Sequence, residues 1–549
     1  MSTAVAAPRP WLLGPWPDLL LGCGIGYGLL VLALAATGAP MGSLEGWLPL
    51  VVLVTGIPHY GATLLRVYGT ESARKRYFIY AFPLGFLVWA AFAGSLAAPR
   101  LGTWLITLYL TWSPWHYTAQ NFGLVMMFLR RAGITPSPAL RRLVWTSFVL
   151  SFVLVFVNIH GSASAGGADP LQAASAAYRF APLGIPTRVA LGALTVAGIS
   201  YVGVTGVVIR RLTQMAGMAR LVPALALVAS QAAWFVLPVL LGFLRPPLYG
   251  PGGATALAFI WVAIAHSAQY LWISFHYARA SGSVAKAAPA GLSYLGTTVL
   301  AGAAIWVFPA LVCAPGALGI RPFESGLGLL VAAAVNVHHF ILDGAIWKLR
   351  DGSVGNVLVG QSTAALQAAP TAKGLGAWGV RAALFAAGLV AAGAWAGAAW
   401  EKEMGIRRAA AAGDLARVEV AARRLVMLGR DGPRIHVAIG RLHEARGEKD
   451  AAHAAYEAAL ALDAEDATAL DRIAESWITR GDFQRALDAR YRAARNAPDR
   501  PALRRRYEEL LSRLQAPPEA GDTEVIVVGG ATAPASDADA ATQTSRTTP

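Results

Sequence analysis

The stretch Asn336 to Trp347, NVHHFILDGAIW, places two histidines and an aspartate inside an apolar run from about Gly326 to Trp347. A run of roughly 20 apolar residues is long enough to cross a bilayer. On a helix His339 and Asp343 are four positions apart and share a face, with Asn336 three residues before His339 and Trp347 four after Asp343. His338 points about 100° away. An ionisable group at membrane depth is costly unless it is paired or coordinated, so its default reading is a functional site. Asp343 is the only acid that the sequence places deep inside an apolar run, and the question is what meets it.

The chain holds ten histidines, and seven fall in its apolar part. His59, His116, His266 and His339 each lie 11 to 13 residues from the expected outer start of a span. At 1.5 Å per residue they share one level to within about 3 Å. Thr63, Gln120 and Asp343 each follow one of these histidines by four positions, and Gln269 and Tyr270 follow His266 by three and four. Imidazole is the commonest protein ligand for iron, copper and zinc. The expected metal set is therefore His59, His116, His266, His339 and Asp343, with His338 a further candidate. The expected cofactor is one or two iron atoms or another transition metal. Thr63, Gln120, Asn121, Gln269, Tyr270 and Asn336 are expected to orient these ligands from behind. Trp115, Tyr117 and Trp347 are expected to line a substrate pocket. His276 lies ten positions after His266, about 15 Å along the axis, so it cannot join the same ion. His160 is expected to be solvated or to cap a helix. His436, His443 and His453 are expected at the surface.

The elements that would position these groups follow from the apolar runs. Spanning helices are expected at roughly 17–37, 46–66, 77–97, 103–129, 143–160, 188–209, 221–244, 255–279, 291–313, 326–348 and 380–400, about eleven in all. The motif Gly22 to Gly26, GCGIG, sits inside the first of them and reads as helix packing, not phosphate binding. Cys23 and Cys313 both fall in apolar runs, which excludes a disulfide framework and leaves buried free thiols.

Charge divides the chain. Up to residue 400 it carries 23 Lys and Arg against 7 Asp and Glu, and beyond that 23 against 24. The basic excess therefore belongs to membrane loops and argues for orientation, with no nucleic-acid partner. With the N-terminus cytoplasmic, 18 basic residues fall on that side and 5 on the other, as the positive-inside rule asks. An odd number of spans puts the C-terminal region outside. The expected location is a bacterial inner membrane, crossed many times.

From Glu401 the pattern becomes alanine-rich and amphipathic. Gly413-Asp414, Gly447-Glu448 and Gly481-Asp482 recur at 34-residue steps, as do Ala452 with Ala486 and Ala459 with Ala493. This period, with small residues where helices cross and a closing Pro498, resembles tetratricopeptide repeats. The resemblance implies an α-solenoid that could dock a protein partner or merely pack on its neighbours. After about Ala516 the composition is that of a disordered tail. The expected fold is thus all-α: a polytopic bundle over 1–400, repeats over 401–515 and a disordered tail over 516–549.

Two patches carry a second resemblance. Gly56-Ile57-Pro58-His59 followed by Gly61, and Ser113-Pro114-Trp115-His116-Tyr117 before Gly123, resemble the first two histidine motifs of bacterial membrane β-carotene dioxygenases of the Brp/Blh type. The resemblance implies intramembrane histidines that hold iron for oxidative cleavage of a polyene. The chain departs from that pattern at Tyr60, where a glycine is usual, in its larger number of spans and in its repeats. The leading expectation is an integral membrane metal-dependent oxygenase acting on an isoprenoid, carotenoid or acyl lipid. The alternative is a non-enzymatic scaffold or transporter whose polar layer conducts protons or ions and whose repeats recruit a partner.

Overall fold

A computed structural model of the 549-residue chain describes residues 10–37, 48–161, 178, 180–244, 260–280, 290–305, 327–349, 352–359, 386, 389–390, 393–497 and 500–515. Among these the secondary structure is helical, apart from one bridge between Gly161 and Ile185. The expected tail, Cys313, Pro498 and about half of the expected span at 380–400 lie outside the described residues. The helices used below are α1 (Ile25–Thr37), α2 (Gly56–Tyr68), α3 (Phe78–Ala97), α4 (Pro99–Arg131), α5 (Pro138–His160), α6 (Thr187–Met215), α7 (Met218–Leu240), α8 (Val262–Ala280), α9 (Ala290–Ala304) and α10 (Leu327–Ile346). The repeat region supplies α11 (Leu415–Met427), α12 (Pro433–Ala445), α13 (Lys449–Leu462), α14 (Ala467–Thr479), α15 (Phe483–Asn496) and α16 (Pro501–Gln515).

Five of these, α3, α5, α6, α7 and α10, are long and apolar enough to cross a membrane. Their outward faces suit lipid: Phe86 on α3 is 77% exposed, and Ile199 and Val202 on α6 are each 71% exposed. Helix α4 is longer, at 33 residues, but its apolarity is diluted by Ser113, His116, Gln120 and Asn121. The helices begin where the chain supplies caps. Ser137 accepts the Leu140 N–H at 3.2 Å ahead of α5, with Pro138 in the first turn.

The expected first span is not continuous. A π-helical turn, Asp18–Gly22, gives way to Gly24 at φ 73, and α1 starts afresh at Ile25. Glycine is required twice here. A Cβ on Gly22 would lie 2.7 Å from the Trp272 indole, and one on Gly24 would meet Trp234 at 2.6 Å. The break also buries Asp18, a second enclosed acid that the sequence reading overlooked. Its carboxylate accepts from the Leu12 and Leu13 backbone and, at 2.9 Å, from Trp272 Nε1.

The described chain forms two compact units, Met1–Ala464 and Glu465–Pro549. In the first, α10 is the hub: 78% of its apolar window is buried, against 22% for α6, and it packs on α2, α3 and α4. Helix α2 meets α9 with almost no space between backbones. A Cβ on Gly61 would lie 2.7 Å from the Gly302 nitrogen and nearer still to the Thr298 carbonyl oxygen. Small residues permit such a close approach between helices.

Later in this unit a π-helical segment, Glu401–Arg408, precedes α11. Glu401 accepts from Arg417 at 3.1 Å and from Arg424 at 2.5 Å. Helices α12 and α13 form a hairpin in which the Tyr456 ring lies over Gly440. The second unit holds the α14–α15 hairpin and α16. There Arg490 spans Glu475 at 2.5 Å and the Arg506 carbonyl at 2.9 Å. The 34-residue step has a conformational counterpart: Gly413, Gly447 and Gly481 all adopt positive φ, at 74°, 76° and 78°. Each reverses the chain between helices where a Cβ would strain the backbone. The repeat histidines are more enclosed than expected, because each meets an acid: His436 with Asp431 at 2.8 Å, His443 with Glu448 at 2.5 Å and His453 with Glu457 at 3.3 Å.

Candidate metal centre

Four helices deliver the centre. His59 comes from the first turn of α2, directly after Pro58, and His116 from the middle of α4, two residues after Pro114. Pro58 sits where a missing N–H costs no helical bond, whereas Pro114 removes one from the interior of α4 and loosens the helix beside His116. His266 lies on α8, and His339 with Asp343 on α10.

The shared depth of these residues becomes a shared site. The His59 ring centroid is 4.2 Å from that of His339 and 4.8 Å from that of His266; His116 lies 5.0 Å from His266 and 5.6 Å from His339. Asp343 Oδ2 is 3.2 Å from His339 Nε2 and 3.6 Å from His116 Nε2. All five residues are buried.

His59 and Asp343 are each held by one atom and free at another. His59 Nδ1 bonds to Ser267 Oγ at 3.1 Å, and His59 Nε2 has no partner. Asp343 Oδ1 lies 2.9 Å from the Tyr270 hydroxyl and 3.1 Å from the Thr63 hydroxyl, and the two hydroxyls lie 2.6 Å apart, so their two protons are shared among three contacts. Oδ2 accepts no hydrogen bond, and neither do His116 Nε2 nor either nitrogen of His266 and His339. Buried polar atoms are normally satisfied, so unmatched lone pairs that converge are a ligand's signature. Two donor sets could each hold a metal ion: His59, His266 and His339, and His116, His339 and Asp343, with the donor atoms of each set within 4.8 Å of one another.

The remaining expected residues divide. Thr63 and Tyr270 both contact Asp343 Oδ1, the oxygen turned away from the imidazoles. Asn336 is one step further out: it accepts from the Tyr60 hydroxyl at 3.0 Å, and the Tyr60 ring stacks on His59 at 5.3 Å. Gln120, Asn121 and Gln269 bond to each other instead. Gln120 donates to Gln269 at 2.6 Å, Gln269 to Asn121 at 3.0 Å and Asn121 to Gln231 at 2.9 Å; Gln231 then reaches Thr118 and Ser151. This amide chain ties α4, α5, α7 and α8 together beside the centre. His338 turns away and packs its Nε2 against Gly85 of α3, outside both donor sets.

Among the aromatics, the Tyr117 ring lies 4.3 Å from His266. Trp347 flanks Tyr270 at 5.7 Å and carries the Arg66 guanidinium 3.9 Å above its ring. Trp115 packs on Trp145 and Phe152, about 100° around α4 from His116. His160 is buried, not solvated: its Nδ1 accepts the Leu183 N–H at 3.2 Å and ties the following loop to the helix, while Nε2 meets Thr111 at 3.0 Å. Sequence reasoning missed Ser267, Tyr60, Gln231 and Phe340, whose ring stacks on His116 at 4.4 Å. Phe340 and Ser267 directly follow the ligands His339 and His266, the one signal that pointed to them. No family model, curated protein or solved structure matches the chain.

Proposed function

We propose that this protein is an integral membrane, metal-dependent oxidoreductase of the oxygenase type, acting on a lipid-soluble isoprenoid, carotenoid or acyl chain. The observation that carries the proposal is the set of convergent, unpartnered imidazole nitrogens and the free Asp343 oxygen in an enclosed site. His59, His116, His266, His339 and Asp343 would hold the metal, and iron suits this imidazole-rich donor set with one carboxylate. Bound iron supplies the redox chemistry with oxygen. The chain's own residues do the rest. Ser267, Thr63 and Tyr270 fix the ligands' orientation, and Tyr60, Tyr117 and Phe340 wall the ligand rings with apolar surface that excludes water.

The reading places about eleven spans in a bacterial inner membrane, basic loops inside and the repeats outside, where they would dock a protein partner as tetratricopeptide arrays do. Its test is turnover. Protein in lipid nanodiscs, loaded with ferrous iron, is offered a panel of carotenoids, other isoprenoids and unsaturated acyl lipids while oxygen uptake and products are followed. Oxygen-dependent product that is lost in His116→Ala supports the proposal. Equal turnover by that variant, or no product from any lipid, refutes it.

A further inference from the structure

The centre's donor atoms outnumber what one ion can take. Seven buried atoms lack partners: Nε2 of His59, Nε2 of His116, both nitrogens of His266, both of His339, and Oδ2 of Asp343. A single ion accepts one atom from each residue and leaves the second nitrogens of His266 and His339 buried without a hydrogen-bond partner. The geometry divides the donors in the same way. They fall into two triads that share His339, one completed by His59 and His266 and the other by His116 and Asp343. Imidazole nitrogens bind zinc at about 2.1 Å, so two ligands of one ion lie at most about 4.2 Å apart. Two triads around a common ring are what a pair of ions needs.

We infer that the centre is dinuclear, with two first-row transition-metal ions joined through His339, which presents one ring nitrogen to each. The inference rests on the metal reading above and deepens it. The supporting contacts are also divided: Ser267 steers His59 in the first triad, and Thr63 with Tyr270 steers Asp343 in the second. A ring that ligates through both nitrogens has no N–H, so filling both positions expels that proton to water. The second nitrogen of His266, whose ring lies over Tyr117, is then the one donor left unused.

The test is metal content of the full, tag-free chain in nanodiscs, loaded anaerobically with ferrous iron, and in parallel with zinc as a redox-silent probe. Two ions per wild-type chain are expected, one in His59→Ala, one in Asp343→Asn, and fewer than one in His339→Ala. His116→Gln gives a second, milder lesion in the Asp343 triad and should also retain one ion. Monodisperse elution identifies folded variants. One ion per wild-type chain, lost in both His59→Ala and Asp343→Asn, overturns the dinuclear inference and leaves the metal reading standing. No metal in folded wild type overturns both.

Discussion

Replacing Tyr270 by phenylalanine removes one oxygen and nothing else. The ring keeps its contacts with His59 at 4.3 Å, His339 at 5.7 Å and Trp347 at 5.7 Å. What is lost is the 2.9 Å hydrogen bond to Asp343 Oδ1. Thr63 still donates at 3.1 Å, so the carboxylate keeps one of its two donors. A hydrogen bond to a charged group contributes about 1.5–3 kcal/mol, which is roughly 10- to 150-fold in an equilibrium constant. Outer partners of metal ligands cost about 10- to 100-fold in affinity when removed, which agrees. Tyr270→Phe should therefore weaken metal binding at the Asp343 triad by about 10- to 100-fold. Thr63→Val should do similar damage, and the double variant should lose less than the two together, because the two hydroxyls also hydrogen-bond to one another. The assay is a competitive titration of the nanodisc-embedded protein with a chromogenic chelator, with metal retained per chain as the readout. Wild-type affinity in Tyr270→Phe would show that Asp343 is not a ligand, and the orientation argument would fall with it.

Other outcomes follow from the same contacts. Gly61→Ala should force α2 and α9 apart and displace His59, costing about 1–3 kcal/mol in thermal stability as overpacking does, together with metal content. Gln231→Leu should destabilise the bundle by about 1–3 kcal/mol for each amide or hydroxyl it orphans, yet leave metal content unchanged, because the amide chain does not touch the imidazoles. Gly447→Ala should cost about 1–2 kcal/mol in the melting of the repeat region, since φ is 76° there. Hydrogen bonds from Arg407 hold the Glu403 carboxyl below the usual carboxylate range, against the opposing effect of burial. A lowered folded-state value stabilises above the unfolded value of about 4.3 and is lost as pH falls through the folded one. Thermal melts compared between about pH 6 and pH 3 should accordingly show a smaller acid-induced drop in Glu403→Gln than in wild type.

The ligands were legible because helical spacing and depth are both one-dimensional. His339 and Asp343 share a face at i and i+4 whatever surrounds them, and counting from a span's end sets the level of His59, His116 and His266. What each side chain reaches is a property of neighbours. Gln120 and Gln269 stand on the same stripes as Thr63 and Tyr270, but amides carry both donor and acceptor and satisfy one another, whereas hydroxyls donate to the nearest carboxylate. Ser267 and Phe340 were passed over despite their place directly after His266 and His339, because serine and phenylalanine are ordinary in an apolar helix until a ring lands beside them. His338 was ambiguous for a related reason: the 100° step from His339 was known, but not that Gly85 would be waiting there. The broken first helix depends on Trp272 and Trp234, more than two hundred residues away, filling the space that Gly22 and Gly24 leave.

Thr63 and Asp343 are 280 residues apart in the chain, and that separation sets an order of events. A bundle built from its N-terminus assembles α2, α4 and α8 with their imidazoles and hydroxyls facing one another but lacking a counter-charge. Helix α10 arrives after them and brings the one carboxylate around which those hydroxyls and imidazoles gather. Until then the hydroxyls and imidazoles of the early helices lack the acid around which they gather. Arrival of α10 and completion of the centre are therefore one event. A chain stopped before Leu327 leaves those groups without their shared acceptor.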